Sequence, residues 1–338
     1  MKKLFLIVSC VQFLFSCQKN ISETSSSPQV DVYVAGYTLT HNSNGGDSTS
    51  ATYWKNGTPV YLTDRIRWAS ARSIFVSGND VYIAGASFNG THSVATYWKN
   101  GVPVTLSDGN HDAGATSITV SGNDVYVAGA EADYLNVTLK YWKNGKPVIL
   151  GSGLQWANAS SIAVSGNDVY VAGFENKGLG DVAKYWKNGI PVTLSGANHY
   201  GYASSIAVSG NNVYVAGHED LYGGSTVAKL WKNGAEVHLT DDESSSAECV
   251  AVSGNDVYVC GSEALYAKYW KNGSAVTLGP PGTFANSIAI VGGDVYVAGA
   301  LYYGGSHILA KYWKNGNVIN LNSAPKETDA YSICVVVH

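Results

Sequence analysis

The chain predicts an all-β fold, a seven-bladed β-propeller with four antiparallel strands per blade. Three observations carry that expectation: a repeat of propeller length, two tight-turn signals per copy, and a spare strand after the last copy. The unit is clearest at residues 161–173, Ser-Ile-Ala-Val-Ser-Gly-Asn-Asp-Val-Tyr-Val-Ala-Gly, followed at 183–194 by Ala-Lys-Tyr-Trp-Lys-Asn-Gly-Ile-Pro-Val-Thr-Leu. Its tyrosine recurs as Tyr33, Tyr82, Tyr126, Tyr170, Tyr214, Tyr258 and Tyr296, in steps of 49, 44, 44, 44, 44 and 38 residues. A period in the low forties with four short apolar runs is the mark of propeller blades.

The turns define the hairpins. Ser-Gly-Asn-Asp puts glycine first in a two-residue loop, as a type II′ turn requires; Lys-Asn-Gly puts Asn-Gly at the centre, as type I′ requires. Around the first turn Ile162, Val164, Val169 and Val171 share one face, with Ala163 and Tyr170 on the other. Both faces are apolar, so each sheet must be covered twice, which a ring of blades achieves without helices. Proline orders the strands. Pro59, opposite Trp54, lacks an N–H where only an edge tolerates the loss, and Pro103, Pro147 and Pro191 repeat the position. The fourth strand is therefore the outer rim, blunted against edge pairing.

Closure is also readable. The first copy starts at Val30 without its Ser-Ile-x-Val strand, and Tyr331-Ser-Ile-Cys-Val-Val336 follows the last copy. The C-terminal strand should complete blade one. The domain is expected to span 30–338, about 44 residues per blade.

Before it, Met1-Lys2-Lys3 and the apolar run to Phe15 read as an export signal, too short for a membrane span. The run ends in Leu14-Phe15-Ser16-Cys17, which resembles a bacterial lipoprotein cleavage box and implies lipidation at Cys17, with an ordinary secretory signal as the alternative. The expected organisation is a signal peptide at 1–17 and a polar, flexible tether at 18–29. The mature protein is then exported and lipid-anchored to a bacterial membrane, the outer membrane on its periplasmic or surface side. A net charge of −4 with 14% charged residues supplies no basic field, so nucleic acid is not an expected partner.

Strand parity puts both tight turns at one end of the ring and every variable loop at the other. The tight-turn end alternates lysines (Lys55, Lys99, Lys143, Lys187, Lys232, Lys271, Lys314) with aspartates and reads as a solvated, self-neutralising face. Individuality lies at the opposite end. Trp68 and Trp156, the tryptophans outside the repeated motif, each precede by three residues the alanine opening an inner strand, Ala71 or Ala159. Tyr200 and Asp112 hold the same place in other blades, each preceded by a histidine, His199 and His111; Ser244, Gly282 and Glu327 complete the set. Aromatic faces beside hydrogen-bonding groups on a rigid ring suit a glycan or an envelope protein, the expected partners of a monomeric ring. The other reading is that these tryptophans plug the blade ends.

The residues for catalysis and metal binding are not apparent. The histidines are scattered, with no His-x-x-x-His, Cys-x-x-Cys, calcium-loop or Gly-x-Ser-x-Gly pattern. No catalytic residue, metal ligand or cofactor is expected, and the acidic clusters Glu219-Asp220 and Asp241-Asp242-Glu243 read as hydrated surface. Cys249 and Cys260 replace Ser and Ala of the repeat and stand opposite across a hairpin, as a disulfide or as buried thiols.

The unit Ala-x-Tyr-Trp-Lys-Asn-Gly-x-x-Val-x-Leu, with Ala-x-Ser-Ile-x-Val and Val-Tyr-Val-Ala-Gly, resembles the extracellular bacterial repeats of the HAF family over 30–338. The resemblance implies an exported repeat protein and lends no catalytic residues. The expected function is a non-enzymatic, lipid-anchored propeller that binds through its variable face. A polysaccharide hydrolase or lyase working at the channel mouth and a purely structural envelope protein are the alternatives.

Overall fold

The computed structural model describes residues 29–338 except 42–45, 65, 177, 179, 197–199, 222–223, 241–243, 303, 305–307 and 322–326. The signal segment, Cys17, nearly all of the tether, His199 and residues 241–243 lie outside the described residues.

Seven four-stranded antiparallel sheets form the ring. The inner strands are Thr328–Val337, Ala69–Ser77, Asp112–Ser121, Trp156–Ser165, Tyr200–Ser209, Ser245–Ser253 and Thr283–Val291 for blades one to seven. In blade one the C-terminal strand pairs with Val30–His41, which pairs with Asp47–Lys55, which pairs with Thr58–Tyr61. The ring thus closes by joining its two ends in one sheet. Pro59, Pro103, Pro147 and Pro191 lie on outer strands opposite Trp54, Trp98, Trp142 and Trp186, as the edge argument requires.

The turns take their anticipated forms. Asn188 and Gly189 both have positive φ (52° and 82°), whereas in the other loop Gly166 (58°) does and Asn167 does not. Asn188 also ties the two hairpins together: its Oδ1 accepts the Val169 amide and its Nδ2 donates to Asp168 Oδ1, each at 2.8 Å. Lys187 Nζ closes the motif on Asp168 Oδ2 at 2.7 Å and lies 5.3 Å from the Tyr170 ring centroid.

There is no single core. Each apolar cluster joins the Tyr/Ala face of one blade to the Ile/Val/Trp face of the next, as Tyr126, Ala128 and Leu139 meet Ile162, Val169, Val171 and Trp186. The repeated tryptophan of every blade is 1% exposed, so each inter-blade seam buries one indole against its neighbour. A belt of hydroxyls adds to this. The inner-strand serine of one blade accepts the amide N–H of the Ile or Val of the next: Ser73 from Ile118, Ser117 from Ile162, Ser205 from Val250 and Ser332 from Ile74, all at 3.2 Å. In blade six Cys249 takes the serine's place and receives the Ile288 amide. Cys249 and Cys260 stand directly opposite and unlinked. The hydrogen bond between them, with the Ile288 amide, pulls the Cys249 thiol down to about 6, while burial pushes Cys260 up.

Candidate functional site at the channel mouth

Each inner strand carries a one-residue β-bulge immediately after its alanine, as between Ala71 and Ser73, so that Gly85 pairs with Ala71 and Ala84 with Ser73. The shift recurs in every blade. The extra residue leaves the alternation of the strand and turns towards the ring axis. These residues are Arg72, Thr116, Ser160, Ser204, Glu248, Asn286 and Tyr331, and together they line both the mouth on the variable face and the channel below it. The mouth is a cavity of about 770 Å³ and the channel beneath holds about 440 Å³. A position that varies within a constant strand is thus the one displayed at the centre.

The mouth has two aromatic sectors. On one side Phe174 and Tyr202 meet edge to face at 4.8 Å and Tyr202 packs at a tilt on His218 at 4.9 Å, with Trp156 and Asn158 beside them. Tyr202 donates its hydroxyl to Asp181 Oδ2 at 2.6 Å; burial and that carboxylate hold its phenol far above the usual range. On the other side the Arg72 guanidinium lies 4.6 Å from the Tyr331 ring centroid, and Tyr37 packs on Tyr331 at 5.8 Å. Asp329 is buried there, and burial raises its carboxyl. Burial, reinforced by Asp329, pushes the Tyr37 phenol up to about 12. Asn286 is anchored by donating from Nδ2 to the Ala330 carbonyl at 2.8 Å.

Of the residues expected from sequence to bind, the structure brings one to this mouth. Trp156 lines it and is 61% exposed. Trp68, 55% exposed, lines a separate notch of about 230 Å³ with Arg67, Asp64 and Phe88. Tyr200 is 52% exposed and belongs to neither lining. Asp112 accepts the Ser93 amide at 2.8 Å and faces His92 at 3.6 Å. His111 stands with Asp108 and Glu131, their ligand atoms all within 4.8 Å of one another, but Lys140 Nζ already holds Glu131 at 2.5 Å. Trp156, Tyr200 and Asp112 are first residues of inner strands rather than loop residues. With more than half their surface exposed, the aromatic three are not plugs sealed into blade ends. The bulge ring, Phe174, Tyr202 and His218 are the mouth residues that sequence reasoning missed.

A family model, the LVIVD repeat, matches residues 69–88, 157–179 and 200–222, which are the inner hairpins of blades two, four and five. No curated protein sequence matches the chain. Among solved structures it resembles a puromycin-hydrolysing peptidase of Mycobacterium tuberculosis, with a TM-score of 0.57 at 14% identity over 86% of this chain and 52% of that one. It also resembles the β-propeller domain of the Trilobed protease from Pyrococcus furiosus, with a TM-score of 0.51 at 10% identity over 88% and 97% of the two chains. Hydrazine synthase of Kuenenia stuttgartiensis gives 0.51 at 8% identity over 92% of this chain and 47% of that one. The chain therefore spans about half the length of the peptidase and of the synthase. At such identities the likeness establishes a propeller fold shared with peptidase and other enzyme propeller domains, and no activity.

Proposed function

We propose that this chain is a non-enzymatic binding propeller that takes a glycan at the channel mouth and the surrounding variable face. The observation that carries the reading is the composition of the mouth, where Trp156, Phe174, Tyr202 and Tyr331 share one opening with Arg72, Glu248, Asn286 and serine hydroxyls. Sugar rings present apolar faces and a girdle of hydroxyls, so they are recognised by aromatic platforms interleaved with hydrogen-bonding groups. The separate notch at Trp68 supports a chain that extends outward from the mouth, where weak contacts add by avidity. Captured on a glycan array, residues 18–338 should retain a sugar polymer without releasing product on long incubation. Trp156→Ala should weaken capture about tenfold, the loss of one stacking contact. Unchanged capture in that variant would place the glycan away from Trp156, and no capture by the wild type would point to a structural envelope protein.

A second reading, a polysaccharide hydrolase or lyase, draws on Tyr37, Tyr331 and Asp329 beside Arg72. Phenol and carboxyl groups with raised proton affinity next to a guanidinium could serve as acid–base machinery. Product from any polysaccharide, lost in Tyr331→Phe, would move the assignment there.

We also propose that the ring works as a monomer held to the outer membrane by a lipid on Cys17 through the tether at 18–29. The sequence Leu14-Phe15-Ser16-Cys17 and the resemblance to extracellular HAF repeats support this. In a bacterial host fed labelled palmitate, the wild type should carry the label in the membrane fraction. Cys17→Ala should remain unlabelled, whereas a labelled alanine variant would refute the anchor.

A further inference from the structure

At the tight-turn end, blade five departs from the repeat at two positions that meet in one cleft. The third strand of each other blade carries a tyrosine (Tyr53, Tyr97, Tyr141, Tyr185, Tyr269, Tyr312), and blade five carries Leu230. These phenols sit in the inter-blade clefts, and burial raises Tyr53, Tyr97, Tyr141, Tyr185 and Tyr312. The second departure concerns charge. In the other blades the lysine of Lys-Asn-Gly is held by an aspartate, as Lys99 by Asp80 at 2.8 Å and Lys271 by Asp256 at 2.8 Å. Blade five has Asn212 at that position, which accepts from Asn233 Nδ2 at 3.0 Å. Lys232 keeps its place over the Tyr214 ring, 5.4 Å from the centroid, with no carboxylate partner among the described residues.

Leu230 and Lys232 line the same cavity of about 280 Å³ between blades five and six. Leu230, Leu239, Val257, Val259 and Trp270 form its apolar wall, and Lys232, His238, Asn255 and Asn272 supply polar groups. We propose that this cleft binds a small aromatic carboxylate, its ring where the repeat's phenol is missing and its carboxylate on the ammonium that the repeat's aspartate would otherwise occupy. The volume lies at the lower limit for small-molecule pockets, which suits a single-ring acid and not a glycan chain. Lys232 is exposed at the edge of the cleft, where its ammonium, without an aspartate of its own, meets an anion, and the apolar wall selects an aromatic body over an inorganic one. The site lies at the opposite end of the ring from the mouth, so it stands or falls independently of the glycan reading.

The test uses 3-phenylpropionate with the full ring, residues 18–338, followed by calorimetry and saturation-transfer NMR. Saturable binding is expected, with the aromatic protons of the probe receiving transfer. Leu230→Tyr, which restores the repeat's phenol, should abolish binding without lowering Tm, and Asn212→Asp, which restores the partner of Lys232, should weaken it about tenfold. Neither change should affect glycan capture. Inorganic phosphate and 3-phenylpropanamide, each carrying half of the proposed chemistry, should bind at least about tenfold more weakly than the acid. No binding of the acid, equal binding by both restored variants, or phosphate binding as well as the acid would overturn the proposal.

Discussion

Removing residues 330–338 should leave a protein that is insoluble or lacks a cooperative melt. The strand Thr328–Val337 is the innermost of blade one and pairs with Val30–His41 from Val30↔Val337 to Thr38↔Thr328. The deletion strips Ala330 and Ile333 from the seam with blade seven, and Cys334 and Val336 from the seam with blade two. It also removes Ser332, which accepts the Ile74 amide, the Ile333 amide that Ser287 accepts, and the carbonyl that receives Asn286. Burial of a large aliphatic side chain contributes roughly 1.5–3 kcal/mol, so the loss across two seams approaches the ~5–15 kcal/mol that holds a domain together. The exposed Val30–His41 strand would then present a long unpaired apolar edge, which favours aggregation. Solubility on expression and a circular-dichroism melt decide the matter. A truncated chain that melts like the wild type would mean the ring does not depend on its closing strand.

That closure was legible because it follows from counting: one copy lacks a strand and another has one too many. The turns were legible because Gly and Asn accept most readily the positive φ they need, and the rim because proline cannot donate to a ladder. The mouth was not. Read as alternation, Ala-Arg-Ser-Ile-Phe-Val at 71–76 is a plain strand, and nothing in the period of two announces that Arg72 stands outside the ladder. The signal was present in another form, since the residue between the alanine and the serine or cysteine is the varying one inside a near-constant run. Equivalence in sequence also misled. Trp68, Asp112, Trp156 and Tyr200 occupy equivalent positions, yet equivalent positions at the rim of a ring are spread around its circumference. Among the four Trp156 lines the mouth, whereas the bulge residues of all seven inner strands converge there. Asn212 and Leu230 were visible as departures from the repeat, but their common cleft depends on how blade five packs on blade six.

The bulge that displays the mouth residues also explains the glycine that ends Val-Tyr-Val-Ala-Gly, and Gly173→Ala should be among the most damaging single changes in the chain. Gly173 pairs with Ala159 beside the bulge at Ser160, where the two backbones come unusually close. A Cβ at Gly173 would lie 2.0 Å from the Asn158 carbonyl oxygen and 3.1 Å from the Ala159 Cα. Both obstacles are backbone, so relief requires the inner strand to move and the bulge to be lost. The same approach recurs at Gly85, 1.9 Å from the Ser70 oxygen, and at Gly217, 1.9 Å from the Tyr202 oxygen. Forcing a methyl group into such a contact should destabilise by about 3 kcal/mol or more. In a domain of this size that corresponds to a fall in Tm of about 5 °C. Gly114→Ala is the control: a Cβ there meets nothing within 4 Å, and the change should cost no more than about 0.5 kcal/mol. Because the Gly173 contact sets the bulge that carries Ser160, glycan capture at the mouth should fall even below the melting range, where the rest of the ring is intact. Equal melting of the two variants would show that the inner strand yields freely. The mouth would then owe its shape to its side chains and not to the seven close backbone contacts beneath them.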